Sequence, residues 1–117
     1  MVLKDVLYRV AGIEGNVAVV ELIPDNAVYR AHFPGMPITP GVCIIGMCRE
    51  LAGMMAGREL KLKAAKDVKF TNLLTPDSDA PVNVEFTSFN ETEDGLAAVV
   101  SVSREGIKIA RLSLIFN

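Results

Sequence analysis

The sequence predicts an α+β domain in which antiparallel strands lie against a single apolar helix, and three observations carry that expectation. Short stretches alternate apolar and polar residues with period two, as strands with one buried face do. The clearest has Val82, Val84 and Phe86 interleaved with Asn83, Glu85 and Thr87. From residue 40 to 56 this alternation gives way to a run apolar on almost every side, interrupted by charge at Arg49 and Glu50. Strand-like segments grouped before and after one helix, rather than alternating with several, point to α+β and not α/β architecture.

In chain order, Val6 to Val10 reads as a first strand and Glu14-Gly15-Asn16 as a turn. Val17 to Ile23 reads as a second, valine-rich strand. Pro24-Asp25-Asn26 stops it, and Ala27 to Ala31 suits one helical turn. The central helix is expected over residues 40 to 56. Thr39 is placed to cap it with its hydroxyl, Pro40 fits the first helical position, and Gly57 suits a left-handed stop. Leu60 to Asn72 reads as extended, with Lys61 to Lys66 open to a helix as well, and Thr75-Pro76-Asp77-Ser78-Asp79 reads as a turn. The strand at Val82 follows. Glu93-Asp94-Gly95 then leads into Leu96 to Ser103, and Arg104-Glu105-Gly106 makes a tight hairpin into Ile107 to Phe116.

At 117 residues the chain is one domain, 1–117, with a core of modest volume. Half of its residues are hydrophobic, and the mean hydropathy is +0.34. That is high for a soluble monomer, and a helix without a polar face needs more cover than one sheet face supplies, so an oligomer is expected. No stretch approaches the roughly 20 apolar residues of a membrane span, and the first residues lack a signal-peptide pattern. A cytoplasmic location follows as an expectation. With net charge −2 and no basic block, nucleic acid is not an expected partner. Cys43 and Cys48, five apart on one helix, are separated by roughly 7.5 Å of rise and should not pair. With one histidine beside them, they are too few for a zinc site, so no metal is expected.

The chemistry concentrates just before the helix. The one histidine, His32, precedes a Pro/Gly-rich loop, and Gly41 offers a bare N–H in the first helical turn, at the positive end of the helix dipole. A general-base candidate beside preorganised donors suits chemistry next to a carbonyl.

The run His32-Phe33-Pro34-Gly35-x-Pro37-Ile38-x-Pro40-Gly41-Val42 resembles the signature of the 3-hydroxyacyl-acyl-carrier-protein dehydratases, with nine specified residues in eleven positions. Val68-x-Phe70 and Thr75-Pro76-Asp77 resemble the strand and turn that follow the helix in that family. The resemblance implies a hotdog fold, an antiparallel sheet wrapped around a long helix, working as a dimer with the active site at the subunit interface. It implies elimination of water from a 3-hydroxyacyl thioester, carried by acyl carrier protein or coenzyme A, to give a 2-enoyl thioester. Such a hydro-lyase belongs to fatty-acid or polyene/polyketide-type acyl metabolism and needs no cofactor.

Carried over by position, His32 is the catalytic histidine, the Gly41 N–H is the oxyanion donor, and the Ile38 carbonyl orients the histidine ring. The family's acid follows the histidine by fourteen residues, and at that position stands Gly46. Glu50, one helical turn further on where the family has glutamine, is a candidate substitute acting through water. Losing a positioned acid typically costs ~10²–10⁴ in rate. Three alternatives therefore stand beside the dehydratase. One is a weakened or inactive acyl-thioester-binding subunit that partners a second dehydratase-like chain. The others are a hotdog thioesterase and a purely structural dimer.

Overall fold

Alternation of side chains sets the architecture. In the computed structural model, which describes residues 2–31, 35 and 37–117, the strands are β1 (Tyr8–Glu14), β2 (Val17–Leu22), β3 (Leu62–Phe70), β4 (Val82–Thr92), β5 (Gly95–Arg104) and β6 (Ile107–Phe116). A short helix α1 (Ala27–Ala31) and the long helix α2 (Gly41–Ala56) lie between β2 and β3. The described strands form one sheet in the order β1-β2-β4-β5-β6-β3, with every neighbouring pair antiparallel. This is the α+β hotdog arrangement expected from the sequence.

One face of the sheet is apolar because every second residue is. Val82, Val84 and Phe86 of β4 and Leu96, Ala98, Val100 and Val102 of β5 are buried. The register places Val84 beside Val102 and Val100 beside Leu112. Met47, Cys48, Leu51 and Ala52 of α2 have no exposed surface and belong to the same core. Bulges at Val10/Gly12 in β1, at Phe86/Ser88 in β4 and at Ile109 in β6, opposite Val102/Ser103 of β5, bend the strands locally, which suits a sheet that must curve about a helix.

Several boundaries differ from the sequence expectation: β1 runs on to Glu14, β2 stops at Leu22, and β5 extends from Gly95 to Arg104. The first strand begins at Tyr8, because Val6 and Leu7 both donate their N–H groups to the Leu3 carbonyl, and Asp5 has φ 65. That turn buries Leu3 and Leu7. The long helix begins at Gly41, with Pro40 as an extended N-cap (φ −61, ψ 147), and Thr39 does not cap it. The Thr39 hydroxyl bonds instead to the Tyr29 hydroxyl at 2.7 Å. Finally, Leu60, Lys61, Thr71 and Asn72 flank β3 rather than extend it. The C-terminal stop matches expectation, with Gly57 at φ 72 in the left-handed region. Cys43 and Cys48 are free and buried. Among the described residues, no helix is long and apolar enough to cross a membrane.

Candidate active site

The motif ends where α2 begins, and the local geometry there follows from Pro40 and Gly41. Pro40 holds the chain extended and turns its carbonyl to the N–H groups of Cys43 (2.9 Å) and Ile44 (3.1 Å). The Gly41 N–H, two residues before that of Cys43, has no acceptor among the described residues, as the first donors of a helix do not. Gly41 lines a cavity of about 270 Å³ with Ile38, Ile44, Phe70, Asn72 and Leu73. The lack of a side chain at Gly41 decides the shape of this cavity, since a Cβ there would lie 2.9 Å from two carbons of the Phe70 ring. Phe70 is thus a wall residue that the sequence marked only as part of a strand pattern. Its contact with Gly41 spans 29 positions, beyond the reach of local patterning.

Ile38 is half-buried and shares that cavity. His32 lies outside the described residues, and with it the expected approach of the Ile38 carbonyl to its ring. A free donor at a helix N-terminus, opening on a mostly apolar cavity, suits binding of a carbonyl whose oxygen gains negative charge.

Gly46 and Glu50 lie further along α2, and the N-terminal segment covers both. A Cβ on Gly46 would lie 2.8 Å from Cδ1 of Leu3. The space where the family's acid would start is therefore filled by a buried leucine. Glu50 has a related occupation. Its Oε2 accepts the Leu3 N–H (2.8 Å), and its Oε1 accepts the Lys4 N–H (3.0 Å) and the Tyr8 hydroxyl (2.8 Å). The Arg49 guanidinium lies 3.8 Å from Oε2, and the Glu50 side chain is only 11% exposed. Three donors thus converge on one carboxylate. Both oxygens are engaged with the fold, so Glu50 does not have the free proton-donating oxygen that a substitute acid needs. The Tyr8 hydroxyl is pushed well above the usual phenol range by burial, and further by its bond to Glu50.

A second cavity, about 570 Å³, lies towards the C-terminal half of α2, between Lys4, Arg49, Glu50, Met54, Arg58 and Glu59. Both of its arginines are already engaged. Arg49 donates to the Leu60 carbonyl (3.2 Å), and Arg58 pairs with Glu91 (3.0 Å). The smaller cavity at Gly41, with its free donor, is the better candidate for chemistry.

Known proteins resemble this chain in sequence and in fold. The chain is 35% identical to the 3-hydroxyacyl-acyl-carrier-protein dehydratase FabZ of Novosphingobium aromaticivorans over 68 residues, 50% of this chain and 43% of that one. To the FabZ of Lactiplantibacillus plantarum it is 31% identical over 68 residues, 52% and 46% of the two chains. The matches thus span less than half the length of these relatives. Among solved structures, the dehydratase heterocomplex ApeI:P from Xenorhabdus doucetiae shares the fold with a TM-score of 0.65 at 18% identity, covering 86% of this chain and 87% of that one. A hypothetical thioesterase with coenzyme A from Streptococcus pneumoniae shares it with a TM-score of 0.59 at 10% identity, covering 93% and 86%. The model of the ApeI-like family, described as ApeI dehydratase, matches residues 14–101, which is more than half of the sequence, and the chain belongs to that family.

Proposed function

We propose that this chain acts as a 3-hydroxyacyl-thioester dehydratase, removing water to give a 2-enoyl thioester carried by acyl carrier protein or coenzyme A. The observation that carries the reading is the Gly41 N–H, free of acceptors among the described residues, on the cavity lined by Ile38, Ile44 and Phe70. The thioester carbonyl accepts from that N–H, which stabilises negative charge on its oxygen and so acidifies the neighbouring C2–H. His32 takes the C2 proton. The C2–H electrons form the C2=C3 bond, and the C3–O bond breaks with its electrons on oxygen. A proton from an acid completes the water that leaves.

Gly46 lacks a carboxyl group and Glu50 is held by the N-terminal segment, so the acid comes from a second chain or from water. A homodimer, or a hetero-oligomer with another dehydratase-like subunit, is the working assembly in this reading. The heterocomplex among its structural neighbours supports the second form. One observation favours the alternative of an acyl-thioester-binding subunit without turnover, namely Leu3 filling the space over Gly46.

The test is hydration of a 2-enoyl thioester by the purified chain and by His32→Ala, with acyl-thioester binding measured in parallel. Turnover that falls at least a hundredfold in His32→Ala, while binding persists, is expected. Binding without turnover in the parent chain excludes a self-sufficient homodimer and selects a subunit that does not catalyse on its own, and turnover unchanged in His32→Ala places the chemistry elsewhere.

A further inference from the structure

We propose that Tyr29 and Thr39 are positioning residues for the Gly41 donor, a role that rests on the dehydratase reading. Tyr29 belongs to α1, and Thr39 stands two residues before Gly41. Their hydroxyls bond at 2.7 Å, with the residues only 3% and 4% exposed. This bond joins the two ends of the segment that carries the motif. Thr39 is held on a second side as well, because its N–H donates to the Leu74 carbonyl at 2.7 Å.

The segment around Leu74 is itself fixed. Arg104 at the end of β5 donates through Nη1 to the Thr75 carbonyl (2.7 Å). Asn72 Nδ2 donates to the Lys108 carbonyl (2.7 Å), and the Thr71 and Asn72 N–H groups donate to the Ile109 carbonyl. Asn72, Leu73 and Leu74 line the cavity together with Gly41. Thr39 therefore links α1, the far wall of the cavity and the first turn of α2.

Chain entry into a helix needs no such arrangement. Pro40 sets its own φ, and the helix has no side-chain cap. Two buried hydroxyls must lose water to form one bond, whereas a phenylalanine and a valine would fill the same space. What the hydroxyl pair adds is direction, since a hydrogen bond fixes the azimuth of Thr39 and, through Pro40, the aim of the Gly41 N–H. A misplacement of about 1 Å at a reacting group can cost on the order of 100-fold in rate.

The experiment compares Tyr29→Phe/Thr39→Val with the parent chain. Replacing both partners by apolar groups of similar shape leaves no orphaned hydroxyl and is nearly neutral for stability, so folding can be matched first. Single variants serve as controls. Two readings are taken, the steady-state parameters for a 2-enoyl thioester and the amide resonance of Gly41, with Gly106 in the distant hairpin as reference. The expected result is a fall in kcat on the order of 10- to 100-fold, with KM within about twofold, together with a shifted or broadened Gly41 amide and an unchanged Gly106 amide. A folded double variant with an unmoved Gly41 amide overturns the proposal whatever its rate, as does a moved amide with unchanged kcat. If the parent chain shows no turnover, the dehydratase reading fails separately, and the Gly41 amide alone decides whether the hydroxyl pair positions it.

Discussion

Glu50 shows how much a single side chain can hold in this fold. Its carboxylate accepts two backbone N–H groups and a buried phenol that are 42 to 47 positions away. Glu50→Gln puts an amide N–H₂ where an acceptor is needed, so one buried donor loses its partner. The expected loss is about 1–3 kcal/mol in urea unfolding, and a variant as stable as the parent would contradict this role. Alkaline pH probes the same place. Burial pushes the Cys48 thiol up to about 12 and lifts the Tyr8 phenol well above 10. The unfolded chain ionises these groups near 9 and 10, so above those values it binds fewer protons than the folded chain. Their contribution is complete below about pH 9 and falls as pH rises, by about 1.4 kcal/mol per pH unit for each group. Urea midpoints should be level from pH 7 to 8.5 and drop by pH 11, less steeply in Tyr8→Phe. The absence of an acid at Gly46 was legible only by carrying the resembled family's spacing onto this sequence. Its physical counterpart was not, because Leu3 and Gly46 meet only after the N-terminal turn has formed.

At the level of elements, the long helix and the strands other than β3 were legible because each has its own period and punctuation, whereas Lys61 to Lys66 suited a helix as well. The β5–β6 hairpin is the plainest case, with Glu105 and Gly106 at φ 51 and 77, the pair of positive values that a tight two-residue turn needs. The start of α2 was read one residue early. A threonine ahead of a proline looks like a cap, and nothing local shows that Tyr29 takes its hydroxyl. The Gly41–Phe70 contact between α2 and β3 was equally hidden. It yields a direct prediction, since Gly41→Ala brings a methyl within 2.9 Å of the ring. Phe70 is 45% exposed and can swing outward, so the variant should fold. Its affinity for an acyl thioester should fall about tenfold or more as the cavity wall is displaced, and Phe70→Ala should relieve the clash while leaving the wall open. Gly41→Ala binding as well as the parent would remove Phe70 from the site.

At the scale of the whole molecule, apolar surface that a single chain leaves uncovered bears on assembly. Val42 on α2, Phe70 on β3 and Leu73 beyond it are 76%, 45% and 66% exposed, and the last two line the cavity at Gly41. Burying such surface is worth about 25 cal/mol per Å², so a dimer or higher oligomer is expected by sedimentation at micromolar concentration. A stable monomer would leave the site without the second chain that the mechanism calls on for an acid. The central claim is that this is a dehydratase scaffold whose own acid position is vacant, and Leu3→Ala/Gly46→Glu tests it most directly. Leu3→Ala clears the space that Leu3 Cδ1 occupies over Gly46 while keeping the backbone N–H that Glu50 accepts. Glutamate is also a better helix former than glycine. The measurement is the rate of 2-enoyl thioester hydration by the folded, assembled double variant against the parent and against Leu3→Ala alone. The expected result is a gain of at least tenfold, within the ~10²–10⁴ that a positioned acid contributes. A double variant that folds, assembles and binds the thioester yet turns over no faster would contradict the claim.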